Sequence, residues 1–263
     1  MELDLHGKTA LVTGSTAGIG HAIALALARE GAAVIVNGRT QSAVDAAVAR
    51  IREATGRLAA GFAADLSLAD AADALVRAHP HVDILVNNLG IFEVRPFADI
   101  SDADWLRFFD VNVLSGVRLA RAYLPPMLGR NWGRIVFISS ESGYQIPAEM
   151  IHYGMTKAAQ IAVARGLAEL TAGSGVTVNT VLPGPTRSRG VGDFVDQMAA
   201  ASGRSPADIE HAFFETARPT SLLKRFTSPE EIAALVTYVA SPLSSATNGA
   251  ALRADGGVIK SAY

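Results

Sequence analysis

The chain contains no cysteine in 263 residues, which removes disulfides, thiolate metal sites and a cysteine nucleophile together. It also lacks an excess of positive charge. Its 23 basic and 25 acidic residues give a formal charge of −2, so a nucleic-acid partner has no electrostatic support. Long apolar runs are missing too: the longest, such as Ala22–Ala28, fall far short of the roughly 18–20 residues of a membrane span. The opening Met1-Glu2-Leu3-Asp4 carries acid and no apolar block, so no signal peptide is expected. No linker, charge block or repeat interrupts the chain before about residue 183. What is present, 49% hydrophobic and 18% charged residues, describes a packed globular protein and excludes intrinsic disorder. The expectation is a cytoplasmic protein with no membrane contact, folded as one domain over 1–263.

Apolar strand-like runs alternate with Ala/Leu-rich helical stretches along the chain. Strands are expected at 9–13, 33–37, 58–63, 83–87, 134–139, 176–181 and 250–254. Helices are expected at about 19–30, 43–54, 69–78, 102–115, 117–128, 155–171 and 229–240. Continuous apolar strands, each followed by a helix, indicate an α/β fold: a Rossmann-type doubly wound parallel sheet of about seven strands, covered on both faces in three αβα layers. Such sheets bind ligands at the carboxyl ends of their strands. From 187 to 221 the pattern loosens, with weak helical periodicity at 193–201 and 206–216. An insertion of this length reads as a substrate lid, made mobile by Gly190, Gly192 and Gly203.

Between the first strand and first helix stands Thr13-Gly14-Ser15-Thr16-Ala17-Gly18-Ile19-Gly20. Glycines there permit positive φ and close backbone approach to a pyrophosphate, while the helix start offers free N–H groups to an anion. The spacing is neither the general dinucleotide fingerprint nor a P-loop. A second constellation lies downstream. Tyr153 and Lys157, four apart on one helix, share a face, and Ser140 sits 13 residues earlier, just past a strand end. A tyrosine titrates near 10, too high for easy proton exchange at neutral pH, and a nearby lysine cation favours the phenolate. A serine hydroxyl can hydrogen-bond a carbonyl oxygen. With five tyrosines and only four lysines in the chain, a chance pair at this spacing is rare.

These motifs together resemble the short-chain dehydrogenase/reductase family, in its compact branch similar to 3-oxoacyl-carrier-protein reductases, and the resemblance runs nearly end to end. Thr13-Gly14-x-x-x-Gly18-x-Gly20 matches the cofactor motif and Tyr153-x-x-x-Lys157 the active-site motif. Asn87-Asn88-Leu89-Gly90, Asp65-Leu66 and Pro183-Gly184-Pro185-Thr186 resemble further cofactor contacts. The resemblance implies that Tyr153 is the general acid or base and that Lys157 lowers its pKa and binds the nicotinamide ribose. It gives Ser140 the substrate carbonyl to orient and Asn112 a water leading to Lys157. It assigns cofactor contacts to Gly14, Ser15, Thr16, Gly18, Ile19, Gly20, Asp65, Leu66, Asn88, Leu89, Gly90, Pro183, Gly184 and Thr186. Hydride would pass between a nicotinamide and a ketone or secondary alcohol. A homotetramer is implied, with a dimer as fallback; the Ala158, Ala159 and Ala162 face allows close helix approach. The other class of reading is a family member without catalysis, acting as a cofactor sensor or scaffold; the intact Asn112, Ser140, Tyr153 and Lys157 speak against it.

The cofactor expected is NADP(H) in preference to NAD(H). An NAD-selective site needs an acid at the end of the second strand, and that acid repels a 2′-phosphate. Here the strand ends Val36-Asn37-Gly38-Arg39-Thr40. Gly38 removes the repulsion, Arg39 brings a permanently charged planar fork, and Thr40 adds a donor. The glycine turn offers only the hydroxyls of Ser15 and Thr16 in further support. Leu89 and Thr156 are bulkier or mildly altered departures from the family pattern. Glu141 reads as a solvated turn residue, the alternative being a charge near the pocket. His152 reads as a packing or pocket-wall residue. His79-Pro80-His81 lacks further ligands for a metal. Arg118, Arg121 and Arg130 read as a solvated or subunit-contact face. In the lid, Phe194, Phe213 and Phe214 suggest an apolar lining, whereas Arg187 and Arg189 suit an anionic substrate. Between a 3-oxoacyl thioester and a small ketone, sugar or steroid the residues leave the choice open.

Overall fold

The structure is a computed structural model that describes residues 3–262, without the side chains at 189, 190, 193 and 194. Seven parallel strands form one sheet in the order β3-β2-β1-β4-β5-β6-β7. They are β1 (Thr9–Val12), β2 (Ala33–Gly38), β3 (Ala59–Ala63), β4 (Ile84–Asn87), β5 (Gly133–Ile138), β6 (Val176–Pro183) and β7 (Ala251–Ala254). The helices α1 (Gly18–Arg29), α2 (Gln41–Thr55), α3 (Ala69–Ala78), α4 (Asp102–Phe109), α5 (Ser115–Gly129), α6 (Ile151–Glu169), α7 (Arg189–Ser202), α8 (Pro206–Thr216) and α9 (Pro229–Val239) complete it. The expected seven-stranded Rossmann-type sheet is therefore present. Among the described residues no helix is long and apolar enough to cross a membrane.

Strand periodicity sorts the core into two layers. Ala10 and Val12 of β1 point with Val34, Val36, Val136 and Ile138 into a cluster closed by α1, α2 and α9. Leu11, Ile35, Leu85, Ile135 and Phe137 point the other way, against α3, α5 and α6. All residues of β4, β5 and β6 are buried, which is why these strands read as unbroken apolar runs. The chain reverses its winding direction between β1 and β4, and the crevice at their carboxyl ends is where such a sheet takes a ligand.

Two elements differ from the sequence expectation in ways that matter for the site. The segment 102–128 does not break into two helices near residue 116. One π-helical turn, Asp110–Leu114, joins α4 to α5 and carries Asn112. A single extra residue in the helical ladder leaves little trace in apolar periodicity, and such turns concentrate at functional positions. The segment 187–221 is more ordered than its weak periodicity suggests. A capping box at Ser205 and Asp208 starts α8. Val195, Ala199, Ile209, Phe214 and Phe226 form a third apolar cluster between α7 and α8. Of the expected lid side chains, Arg189 and Phe194 lie outside the described residues.

Candidate active site

The turn after β1 is built by hydrogen bonds from two other strands. The Thr13 hydroxyl oxygen accepts the N–H groups of Asn88 and Leu89, both at 2.9 Å. The Asn88 amide donates back to the carbonyls of Thr13 and Gly14 at 2.9 and 3.0 Å. Gly14 and Gly18 have φ of +60° and +56°, where a side chain is strained. At Gly20 the need is space: a Cβ would come within 2.5 Å of the Gly14 carbonyl and closer still to the Asn88 amide. Helix α1 then begins at Ala17 without a side-chain cap and without an acid in its first turn. By contrast α4, α8 and α9 each begin with a serine capping box. The first N–H groups of α1 are thus left for an anionic ligand, with the positive end of the helix dipole behind them. The residues present fit a dinucleotide pyrophosphate at this position.

Ser15 does other work than expected. Fully buried, its hydroxyl donates to the Val12 carbonyl at 2.6 Å and accepts the Asn37 N–H at 3.0 Å, so it braces β1 against β2 instead of facing a phosphate. Asn37, which the sequence reading passed over, organises the same corner. Its side-chain oxygen accepts the Gly14 N–H at 3.2 Å, and its amide donates to the carbonyls of Phe62 and Ala64. An asparagine closing an otherwise apolar strand was the available signal.

At the end of β2, a Cβ on Gly38 would collide with the Thr16 methyl group, so the glycine makes room for Thr16 and leaves no place for an acid. Arg39 is exposed and makes no hydrogen bond or ion pair among the described residues. Thr40 is used as the cap of α2, accepting the Ala43 N–H at 3.4 Å. A second cation, invisible at a separation of 34 residues, comes from α2: Arg50 donates to the Thr16 carbonyl at 3.0 Å. Asp65 accepts from the N–H and hydroxyl of Ser67, and Leu66 is buried in the core and offers only its backbone.

Across the sheet edge, Ser140, Tyr153, Lys157 and Asn112 converge. Helix α6 begins at Ile151, earlier than expected, so Tyr153 lies in its first turn. The Ser139 hydroxyl donates to the Lys157 carbonyl at 2.8 Å and fastens α6 to the end of β5. Lys157 is buried, its Nζ 5.6 Å from the Tyr153 ring centre, donating to the Ile138 carbonyl at 2.9 Å and to Gln160 at 3.1 Å. Burial, with no carboxylate among its partners, pulls the Lys157 pKa down to about 7. The Tyr153 phenol is pushed well above 10, first by burial and second by the charge of Glu141. Desolvation thus weakens the Lys157 charge that favours a Tyr153 phenolate, and the Glu141 carboxylate opposes it.

The Asn112 side chain is held in place by the backbone of Ile91, through bonds of 2.8 and 3.0 Å, and by Thr156 at 2.9 Å. The Asn112 main-chain carbonyl accepts from the Gln160 amide at 2.6 Å, and the Gln160 side-chain oxygen in turn accepts from Lys157. Gln160 thus links Lys157 to the main chain at Asn112. A Cβ on Gly90 would stand 3.5 Å from both Asn112 Oδ1 and Lys157 Nζ, which places that glycine over the same corner. Beyond β6, Gly184 fits against the Asp255 backbone with no room for a side chain, and the Thr186 hydroxyl is bonded to Gly184 and Thr227.

Glu141 is not a solvated turn residue. It is 4% exposed and accepts the Ser140 hydroxyl hydrogen, and its other oxygen takes Arg218 Nε at 2.9 Å. His152 is a packing residue: buried, 4.0 Å between ring centres from Phe108, and kept neutral by burial. Arg187, just before α7, is paired with Glu210 of α8 at 2.5 Å with its side chain half-exposed.

The fold and this constellation agree with what known proteins show. Residues 8–199 match the family model described as short chain dehydrogenase. The chain is 49% identical over 264 residues to the oxidoreductase YvaG of Bacillus subtilis, covering all of both chains. It is 34% identical to the 3-oxoacyl-[acyl-carrier-protein] reductase FabG of Aquifex aeolicus, over 98% of this chain and 100% of that one. L-Sorbose reductase from Gluconobacter frateurii, solved with NADPH and L-sorbose, superimposes with a TM-score of 0.93 at 29% identity, covering 99% and 100% of the two chains. A match over most of the length, with the glycine turn and the Tyr153–Lys157 pair on the elements that the fold predicts for them, places the chain among the oxidoreductases of the short-chain dehydrogenase family.

Proposed function

We propose that this protein is an NADP(H)-dependent oxidoreductase interconverting a ketone and a secondary alcohol. The observation that carries the reading is the convergence of Ser140, Tyr153 and Lys157 at the carboxyl edge of the sheet, beside the uncapped start of α1. The cofactor, when bound, supplies or accepts the hydride. The N–H groups of α1 and the glycine turn hold its pyrophosphate, Gly90 leaves space beside Lys157, and the 183–186 segment lines the nicotinamide end. Tyr153, protonated at neutral pH, faces the substrate oxygen and delivers its hydrogen in the direction of reduction. Ser140 lies on the same side and fixes the oxygen's surroundings. Segment 187–221 covers the substrate, with Phe213 and Phe214 in its apolar interior.

Preference for NADP(H) rests on Gly38, on the free Arg39 and on Arg50 at the Thr16 carbonyl. The NADPH-bound reductase with the same fold supports it. One phosphate-facing arginine is worth about 1.4–3 kcal/mol, or on the order of 10–100-fold in preference. The test is kcat/KM with each cofactor across a panel of ketones and alcohols, for wild type and Arg39→Ala. NADPH is expected to be favoured by wild type, and the ratio to fall about tenfold in the variant. Equal or better use of NADH by wild type would refute the assignment.

The same family membership supports a homotetramer. The outer face of α6, with Ala158 and Ala159 half-buried and Ala162 exposed, lets a partner helix approach closely. Light scattering at micromolar protein is expected to give four chains; the mass of a single chain would contradict it.

A further inference from the structure

We propose that the substrate side of this site takes a ketone carrying an uncharged apolar substituent, an alkyl chain or an aryl ring, and that Phe92 selects it. The assignment rests on the oxidoreductase reading and names the substrate class within it.

Two loops flank Tyr153 at the carboxyl edge of the sheet, and each presents an exposed apolar side chain beside it. Phe92, two residues beyond Gly90, meets the Tyr153 ring edge-on, with ring centres 6.3 Å apart. Ile146, in the loop between β5 and α6, packs over Gly154, where a Cβ would come within 2.6 Å of its methyl group. Both side chains nevertheless keep much of their surface in water, 59% for Phe92 and 48% for Ile146. Val94, on the same loop as Phe92, is exposed as well. A lone apolar residue on a surface needs no explanation. Two large ones beside the residue that supplies the substrate hydrogen, at the sheet edge that takes ligands, are the lining of a substrate site.

Phe92 is also fixed in advance. Both main-chain groups of Ile91, the residue before it, are bonded to the Asn112 side chain, at 2.8 and 3.0 Å. Three residues after Phe92, the Arg95 N–H donates to the Glu149 carbonyl at 3.0 Å and ties this loop to the one that carries Ile146. A wall held between two such anchors need not be ordered when the substrate binds.

The charged side chains on the same segments are spent on one another. Glu93 takes Arg95 at 2.6 Å and Arg107 at 3.1 Å. Arg218 is held by Glu141 at 2.9 Å and by Glu149 at 3.3 Å. A substrate carboxylate lying against these loops would have to break one of these pairs to gain a counter-ion. A polyhydroxylated substituent fares no better, because Phe92 and Ile146 return no hydrogen bond for the water it loses. Methylenes gain by the same transfer. The two loops thus favour an apolar ketone over a sugar or a small keto acid.

The test uses methyl ketones with ethyl, butyl and hexyl chains, and L-sorbose and acetoacetate as the polar and anionic comparators. In wild type, kcat/KM with NADPH is expected to rise about threefold per added methylene. Phe92→Ser is expected to cut that gain to about 1.5-fold or less per methylene, and Phe92→Leu, which stays apolar, to keep it. Equal slopes in wild type and Phe92→Ser would overturn the proposal. So would loss of the slope in Phe92→Leu, or a wild-type preference for L-sorbose or acetoacetate over the hexyl ketone. Calorimetry of the same ketones with the NADP⁺-loaded protein, where no reduction can occur, reads the subsite without turnover, and affinity is expected to climb with chain length. Binding with that slope but no reduction of any ketone would sink the oxidoreductase reading and leave the apolar subsite standing. Reduction without the slope would do the opposite.

Discussion

Tyr153→Phe is expected to lower kcat by about 10³-fold while leaving NADPH affinity within about twofold of wild type. The magnitude follows from what a positioned proton donor contributes, on the order of 10²–10⁴-fold. Two features of the site confine the effect to chemistry. Tyr153 is half-buried, and its ring is covered edge-on by Phe92, a contact that phenylalanine keeps. The start of α1 and the turn that Thr13 and Asn88 build are held by bonds that do not involve Tyr153, so the pyrophosphate site is untouched. A raised Tyr153 pKa sharpens the expectation: at neutral pH the phenol carries its hydrogen, and reduction is the direction that needs it there. Single-turnover kinetics and a fluorescence titration with NADPH separate the two quantities. Wild-type turnover in the variant would remove Tyr153 from the mechanism, and a lost affinity would make its role one of cofactor binding.

The features legible in the sequence were those that repeat or sit close together. Ala10, Leu11 and Val12 announce a buried strand because both faces of the sheet are covered, and Gly14, Gly18 and Gly20 announce the turn because backbone geometry there tolerates little else. Tyr153 and Lys157 are one helical turn apart, so their spacing alone puts them on one face. What escaped notice joins distant parts of the chain. Arg50 reaches Thr16 across 34 residues and Arg218 reaches Glu141 across 77, and no local pattern reports either pair. Gln160 escaped for another reason: an amide on a helix has many uses, and only the fold shows its two ends occupied by Lys157 and Asn112. Ser15 and Glu141 depart from the usual pattern in which small polar and acidic turn residues face water or ligand. Both are buried and spend their hydrogen bonds on neighbouring strands or turns. The π turn at Asp110–Leu114 was hidden because one inserted residue shifts a helix face by only part of a turn.

Lys157→Met is expected to abolish turnover, by about 10³-fold or more, and at the same time to raise thermal stability at pH 7. Methionine matches the unbranched length of lysine and fills the same space. What it removes is a buried amine whose hydrogen-bond partners among the described residues are the Ile138 carbonyl and Gln160, with no carboxylate among them. In the unfolded chain this group titrates near its ordinary value, about 10.4; in the fold, burial brings it down to about 7. Between those two values the unfolded state holds a proton that the fold does not, so wild-type stability rises as pH rises from 7 towards 10. Methionine has no such dependence. The variant's advantage is therefore expected to be largest near pH 7, about 1–3 kcal/mol or roughly 3–8 °C in Tm after the two lost hydrogen bonds are counted, and to shrink as pH approaches 10. Melting curves of both proteins at pH 7, 8.5 and 10, at one protein concentration, read the difference. A variant that melts below wild type at pH 7 would mean that Lys157's hydrogen bonds outweigh the cost of its burial. A Tm gain independent of pH would mean that packing is its source. The combination of lost turnover with gained stability is what a group kept for chemistry at the expense of the fold should show.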